Sequence, residues 1–74
     1  MGKLSVLSGQ EVRRILERHG FLFIRQRGSH MILQWQSDDQ KITVPVPDHK
    51  EIKQGVMTSI IRQSGVPRSA FEEN

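Results

Sequence analysis

The chain contains no cysteine, which removes disulfide staples and every thiolate metal site. Apolar residues are also scarce, at 35% of 74 residues. A chain of this length buries only about 60% of the surface exposed when unfolded. Its stability must therefore come from efficient packing or from a partner subunit. No apolar run approaches the roughly 18 residues that span a bilayer. Met1 to Ser8 carry one lysine and no hydrophobic segment of the signal-peptide kind. Repeats, low-complexity tracts and linkers are missing as well. The expectation is one soluble domain over residues 1–74, working in the cytoplasm.

Ready-made chemical motifs are equally sparse. His19, His30 and His49 show no i, i+4 pairing and no sequence-local cluster with carboxylates, so neither a metal site nor a cofactor is expected. There is no Gly-rich phosphate loop, and Gly28 stands alone. Ser29 adjoins His30, but neighbours on a strand point to opposite faces. A serine nucleophile activated by that histidine is not supported.

Charge is present and unevenly placed. Eleven Lys and Arg against eight Asp and Glu give a net charge of +3. Arg13, Arg14, Arg18, Arg25 and Arg27 come early, opposed by Glu11 and Glu17. Asp38, Asp39, Asp48, Glu51, Glu72 and Glu73 come later. A basic half suits a polyanionic partner; the plainer reading is a solvated basic face.

The apolar spacing gives the order of elements. After a short apolar lead from Leu4 to Leu7, Ser8 and Glu11 fit a capping box, with Leu7 placed to staple onto Val12. Val12, Ile15, Leu16 and His19 form one stripe, and Gly20 supplies a stop, so a helix is expected over 8–19. His19 falls in its last turn, where a bond to helix carbonyls is the simple role. Residues 21–27 and 30–36 are two β-prone runs separated by Gly28-Ser29, the pattern of a hairpin with a type II′ turn. Arg27 and His30 would face each other across it. Ser37 to Gln40 is a polar turn. Residues 41–46 alternate as a third strand, and Pro45, which cannot donate to a ladder, marks an edge there or the strand's end. A turn of helix is expected over 49–53 and a main helix over 54–64, because Gly55 weakens an unbroken helix. Gly65 and Pro67 end it, and a last turn over 67–71 would fold Phe71 onto the core.

The order α-β-β-β-α implies an α+β fold, a three-stranded antiparallel sheet with both helices on one face. The expected core is Val12, Ile15, Leu16, Phe21, Phe23, Ile32, Ile42, Val44, Val46, Val56, Ile60, Ile61 and Phe71. The other sheet face is left for water or a partner.

The hairpin carries the chemistry. RNA brings its own nucleophile, the 2′-OH, so a protein that cleaves it need supply only a proton donor or acceptor and cations for the phosphorane charge. Histidine titrates near neutral pH. His30 is the candidate, with Arg25, Arg27 and Lys41 as phosphate contacts; alternatively His30 is an ordinary surface residue of a hairpin. A basic first helix and a hairpin loop also fit the shape-based reading of double-stranded RNA. Trp35 can stack on a base, but a sheet-face hydrophobe or an anchor for a protein partner is the plainer reading.

Taken together, Gly20-Phe21, Arg27-Gly28-Ser29-His30, Val44-Pro45-Val46-Pro47-Asp48-His49 and the segment from Lys53-Gln54-Gly55 through Ile60-Ile61-Arg62-Gln63-Ser64-Gly65 resemble the HicA (YcfA-like) family of mRNA interferase toxins. The resemblance runs from Ser8 to about Phe71. It implies a double-stranded-RNA-binding-like fold, ribosome-independent endoribonuclease activity on mRNA, and neutralisation by a HicB-like antitoxin, through which alone the chain would oligomerise. It puts the catalytic histidine at His30, within Gly28-Ser29-His30, and a second family histidine at His49. Gly28, Ser29 and His49 thereby join Arg25, Arg27 and Lys41 as expected RNA-binding residues. Gly55-Val56-Met57 departs from the family's common Gly-Thr-Leu, conservatively in packing. Two other functions stay open on the residues alone. One is a non-catalytic RNA-binding module of the same fold. The other is a protein-interaction domain whose open face serves only an antitoxin.

Overall fold

A computed structural model describes residues 4–72. Residues 1–3 and 73–74, which include Glu73 of the acidic group and the start of the N-terminal segment, lie outside the described residues. Helix α1 spans Gly9–Arg18. Strands β1 (Leu22–Arg27), β2 (His30–Gln36) and β3 (Lys41–Pro47) follow, then helix α2 (Gln54–Ser64) and a 3-10 turn, Arg68–Phe71. The strands form an antiparallel meander in the order β1-β2-β3. The α-β-β-β-α order of the sequence reading is present in full.

Helix α1 begins as the capping box requires. Glu11 N–H donates to Ser8 Oγ at 3.1 Å, and Ser8 N–H donates to Glu11 Oε1 at 2.9 Å. These bonds occupy two donors that a helix start otherwise leaves unpaired. They hold the Glu11 carboxyl below its ordinary range, the Ser8 backbone bond first and its side chain second, with Arg14 assisting. Gly20 follows the helix at φ +92°, and a Cβ there would press on the Trp35 ring at 3.0 Å. Gly65 ends α2 in the left-handed region, as expected.

Both helices cover one face of the sheet. Val12 and Leu16 of α1, Met57 and Ile60 of α2, and Met31, Leu33, Val44 and Val46 of the strands form one buried cluster. Phe71 closes it from the C-terminal turn and is 1% exposed. The chain ends are tied together: Leu4 bridges Glu72, and Ser5 N–H donates to Phe71 O at 3.0 Å.

Three core assignments change. Ile32 turns to the open face, while Met31 and Leu33 are buried. The register explains it, since Leu33 pairs with Val44 and Met31 with Val46, and directly paired residues share a face. Val56 is 38% exposed, because α2 is rotated so that Met57, Ile60 and Ser64 point inward. Phe23 lies over the helix side but at the sheet edge and is 37% exposed. The Arg13 guanidinium covers its ring at 4.2 Å, a cation–π contact in place of hydrocarbon packing. Ile15, Ile42 and Ile61 are half-buried against the core.

The expected helical turn at 49–53 is absent. That segment spends its backbone on the N-terminal lead instead: Gly9 N–H donates to His49 O at 2.9 Å, and Ile52 N–H to Leu7 O at 2.8 Å. Helix α2 then starts after Lys53, which puts Gly55 in its first turn rather than in its interior.

Two measurements check this packing. Leu33→Ala should cost about 2–5 kcal/mol in urea unfolding, and Ile32→Ala less than half as much. A carboxylate held below its ordinary value stabilises the fold while ionised. Glu11's contribution is therefore present above its unfolded value of 4.5 and is lost as pH falls through the lower folded one. As pH falls below 4.5 the protein should lose more stability than its Glu11→Gln variant.

Candidate functional site

The β1–β2 hairpin is closed by Gly28-Ser29. Gly28 has φ +57°, and no non-glycine residue among those described has a positive φ. Of the two common two-residue hairpin turns, type I′ needs positive φ at both central positions and type II′ only at the first, so the turn is type II′. Arg27 pairs with His30, as the turn requires. Gln26 Nε2 donates to Gly28 O at 3.3 Å across the bend.

Strand β1 does not alternate uniformly. Phe23 pairs with Leu33 and Arg25 with Ile32, which leaves Ile24 as an extra residue in a β-bulge. Its effect on the site is direct. Plain alternation from Phe23 would carry Arg25 and Arg27 to the helix side. The bulge reverses the parity and sets both arginines on the open face, beside His30 and Ile32.

There they form a concavity of about 540 Å³ lined by Arg25, Arg27, Gly28, His30, Ile32, Thr43 and Pro45. Neither arginine has a carboxylate partner among the described residues, so both guanidinium groups are available to an anion. His30 is exposed and also lines a second concavity, between β3 and α2, with Pro45, Pro47, Lys53, Val56, Ser59 and Gln63. The histidine thus stands on the ridge between two hollows. A reacting group on that ridge is reachable from both sides, with two cations on one side and one on the other.

The other expected residues are dispersed. Ser29 is in the turn, and its carbonyl accepts Asp48 N–H at 2.7 Å. His49 lies two positions past Pro47, the partner of His30; its carbonyl receives Gly9 N–H, and it is exposed. Lys41 is not with them. Lys41 and Pro47 are the two ends of β3, about 20 Å apart at the usual rise per residue. Lys41 lines a separate depression with Ser37, Asp38 and Asp39. His19 takes the expected helix-end role, its Nδ1 lying 2.9 Å from Ile15 O. Trp35 faces the helix side, where it lines a hollow of about 290 Å³ with His19, Phe21 and Val66, away from His30. Among the described residues no three His, Cys, Asp or Glu converge in a way that could hold a metal ion.

The family model described as the HicA toxin of bacterial toxin–antitoxin systems matches residues 9–66. The chain belongs to the HicA toxin family. Membership assigns a toxin's role and an antitoxin as the general kind of partner. No curated protein matches the chain. Within this HicA domain the match spans α1, the sheet and α2, so the hairpin, both hollows and Lys53 all fall inside it. Lys53, Ser59 and Gln63 were not among the residues singled out as a site. Lys53 and Gln63 stood in the quoted helix motif, but spacing alone does not say that α2 lies alongside the edge of β3.

The site end of this HicA domain rests on one close approach. Gly9, in the first turn of α1, packs on the Pro47 carbonyl and Asp48, and a Cβ would collide with that backbone. Gly9→Ala should therefore lower the melting temperature clearly. Gly55→Ala, where a Cβ meets nothing within 4 Å, should leave it unchanged or raise it, by about 0.4–1 kcal/mol of stability. Parallel thermal unfolding of the two variants measures the contrast.

Proposed function

We propose that this HicA toxin is a ribosome-independent endoribonuclease acting on mRNA in the cytoplasm, with His30 as its catalytic acid/base. The observation that carries the reading is the grouping of His30 with Arg25 and Arg27 around one open concavity in a chain of the HicA family. The RNA 2′-OH attacks the adjacent phosphorus while its proton passes to a base. The phosphorane charge is met by the two guanidinium groups, which are suited to bidentate contacts with phosphate oxygens. The bond to the 5′-oxygen breaks, and that oxygen takes up a proton, leaving a 2′,3′-cyclic phosphate and a 5′-hydroxyl end. The imidazole can serve at either transfer. Because the nucleophile comes with the substrate, the reaction requires no metal-bound water.

Gly28 and Ser29 would bring the turn backbone close to the phosphate, and His49 would contact RNA at the same end of the sheet. Lys41 would act only on a strand long enough to run the length of the open face. The antitoxin is proposed to be HicB-like and to neutralise the toxin by covering the His30 face.

Cleavage of a labelled RNA by purified protein tests the reading. His30→Ala should lower the rate by about 10²–10⁴-fold while keeping the melting temperature. A chelator should leave the wild-type rate unchanged. Arg27→Ala should weaken RNA binding more than Lys41→Ala on short substrates. Wild-type rates from the His30→Ala protein would remove His30 from catalysis.

A further inference from the structure

The groove between β3 and α2 is not explained by the two arginines. One wall is apolar, formed by Pro45 and Pro47 of the edge strand and by Val56 of α2. Val56 is 38% exposed and belongs to the apolar periodicity of α2, yet it does not enter the core. Polar groups stand beside it. Lys53 has no ion pair and the Gln63 side chain no hydrogen bond among the described residues, and Ser59 Oγ donates to Gly55 O at 3.2 Å while keeping its acceptor capacity. The groove holds about 540 Å³ and shares His30 with the arginine-lined concavity. An apolar wall with a few convergent hydrogen-bonding groups suits a flat, polar-edged ligand.

We propose that this groove binds one unpaired nucleotide of the RNA adjoining the scissile phosphate. The base lies against Pro45, Pro47 and Val56, its edge is read by Gln63 and Ser59, and Lys53 holds the flanking phosphate. The inference rests on the ribonuclease reading and deepens it. An RNA strand cut at His30 continues on both sides of the cut, and the two hollows meeting at His30 supply one seat for each side. The arginine side sets two guanidinium groups beside Ile32, Thr43 and Pro45, and those cations grip phosphates without distinguishing bases. The α2 side offers an apolar face and amide donors and acceptors, which do. A base inside an A-form duplex is stacked and paired, so its face and pairing edge are closed to such a groove. The substrate is therefore single-stranded at the cut, and base preference comes from α2.

The experiment uses one RNA sequence in two forms, an unstructured strand and the same strand annealed to its complement. Wild-type protein should cleave the free strand at least about tenfold faster. In the His30→Ala background, which leaves the RNA uncut, Val56→Ser should weaken binding of the free strand by about tenfold, the scale of removing one valine's apolar contact. In otherwise wild-type protein, Gln63→Ala should redistribute the cleaved positions, and Lys53→Ala should raise KM. All three replaced side chains are exposed, and retained melting temperatures would show the variants folded. Wild-type protein that cleaves neither form overturns the ribonuclease reading and this inference with it. Equal cleavage of both forms overturns the inference alone. So do Val56→Ser and Gln63→Ala proteins with unchanged affinity and cleavage positions, including the case in which they lose only inhibition by the antitoxin.

Discussion

Strand alternation, broken once at Ile24, is the constraint on which the rest of this molecule depends. The sheet has one dry face, and each strand residue is committed to that face or to the open one. Met31, Leu33, Val44 and Val46 take the dry side under the two helices. Phe23 belongs there too, and without an extra residue Arg25 and Arg27 would follow it. Strand β1 is exposed along its whole length, so what changes there is direction and not burial. The bulge turns them outward. One inserted residue thus delivers both charges to the face that carries His30.

A second constraint fixes the end of the sheet at which this happens. Ser29 O accepts from Asp48, His49 O from Gly9, and Leu7 O from Ile52. These backbone bonds link the hairpin turn, the exit of β3, the start of α1 and the approach to α2. Gln10 Nε2 adds a bond to Asp48 Oδ1 at 3.2 Å. Gly9 allows the closest approach among them, because any side chain there would meet the Pro47 backbone. The turn that presents His30 is consequently braced by both chain segments flanking the sheet. Such bracing matters for a small domain, whose reserve of stability is slight.

The same architecture keeps the proposed site small. The cationic pair and the histidine come from adjacent strands, held by ladder hydrogen bonds rather than by a long loop. Beside the exposed Leu22, the far half of the open face carries polar side chains, with Gln34 Nε2 donating to Thr43 Oγ1 at 3.2 Å and Gln36 Nε2 to Gln34 Oε1 at 2.8 Å. Arg25 and Arg27 therefore stand near the turn with Lys41 alone at the far end, and the apolar groove runs beside Pro45 and Pro47 at the end of β3.

The sequence by itself determined the elements. Capping chemistry placed α1, Gly65 and Pro67 ended α2, and Gly28-Ser29 set the hairpin so that Arg27 had to face His30. These are local rules, settled by residues a few positions apart. What only the tertiary structure decided was which side each residue takes. Ile32 looked like core because it is apolar on a strand, but the pairing of β2 with β3 gives that place to Met31 and Leu33. Val56 looked like core because it fits a helical stripe, but the rotation of α2 prefers Met57. Lys41 looked like a neighbour of His30 because it is a cation on the next strand, yet antiparallel pairing puts it at the opposite end. The bulge at Ile24, the docking of Gly9 and the groove beside α2 are likewise products of register and packing between distant segments. No local spacing records them, because each depends on contacts that exist only once the helices have been laid on the sheet.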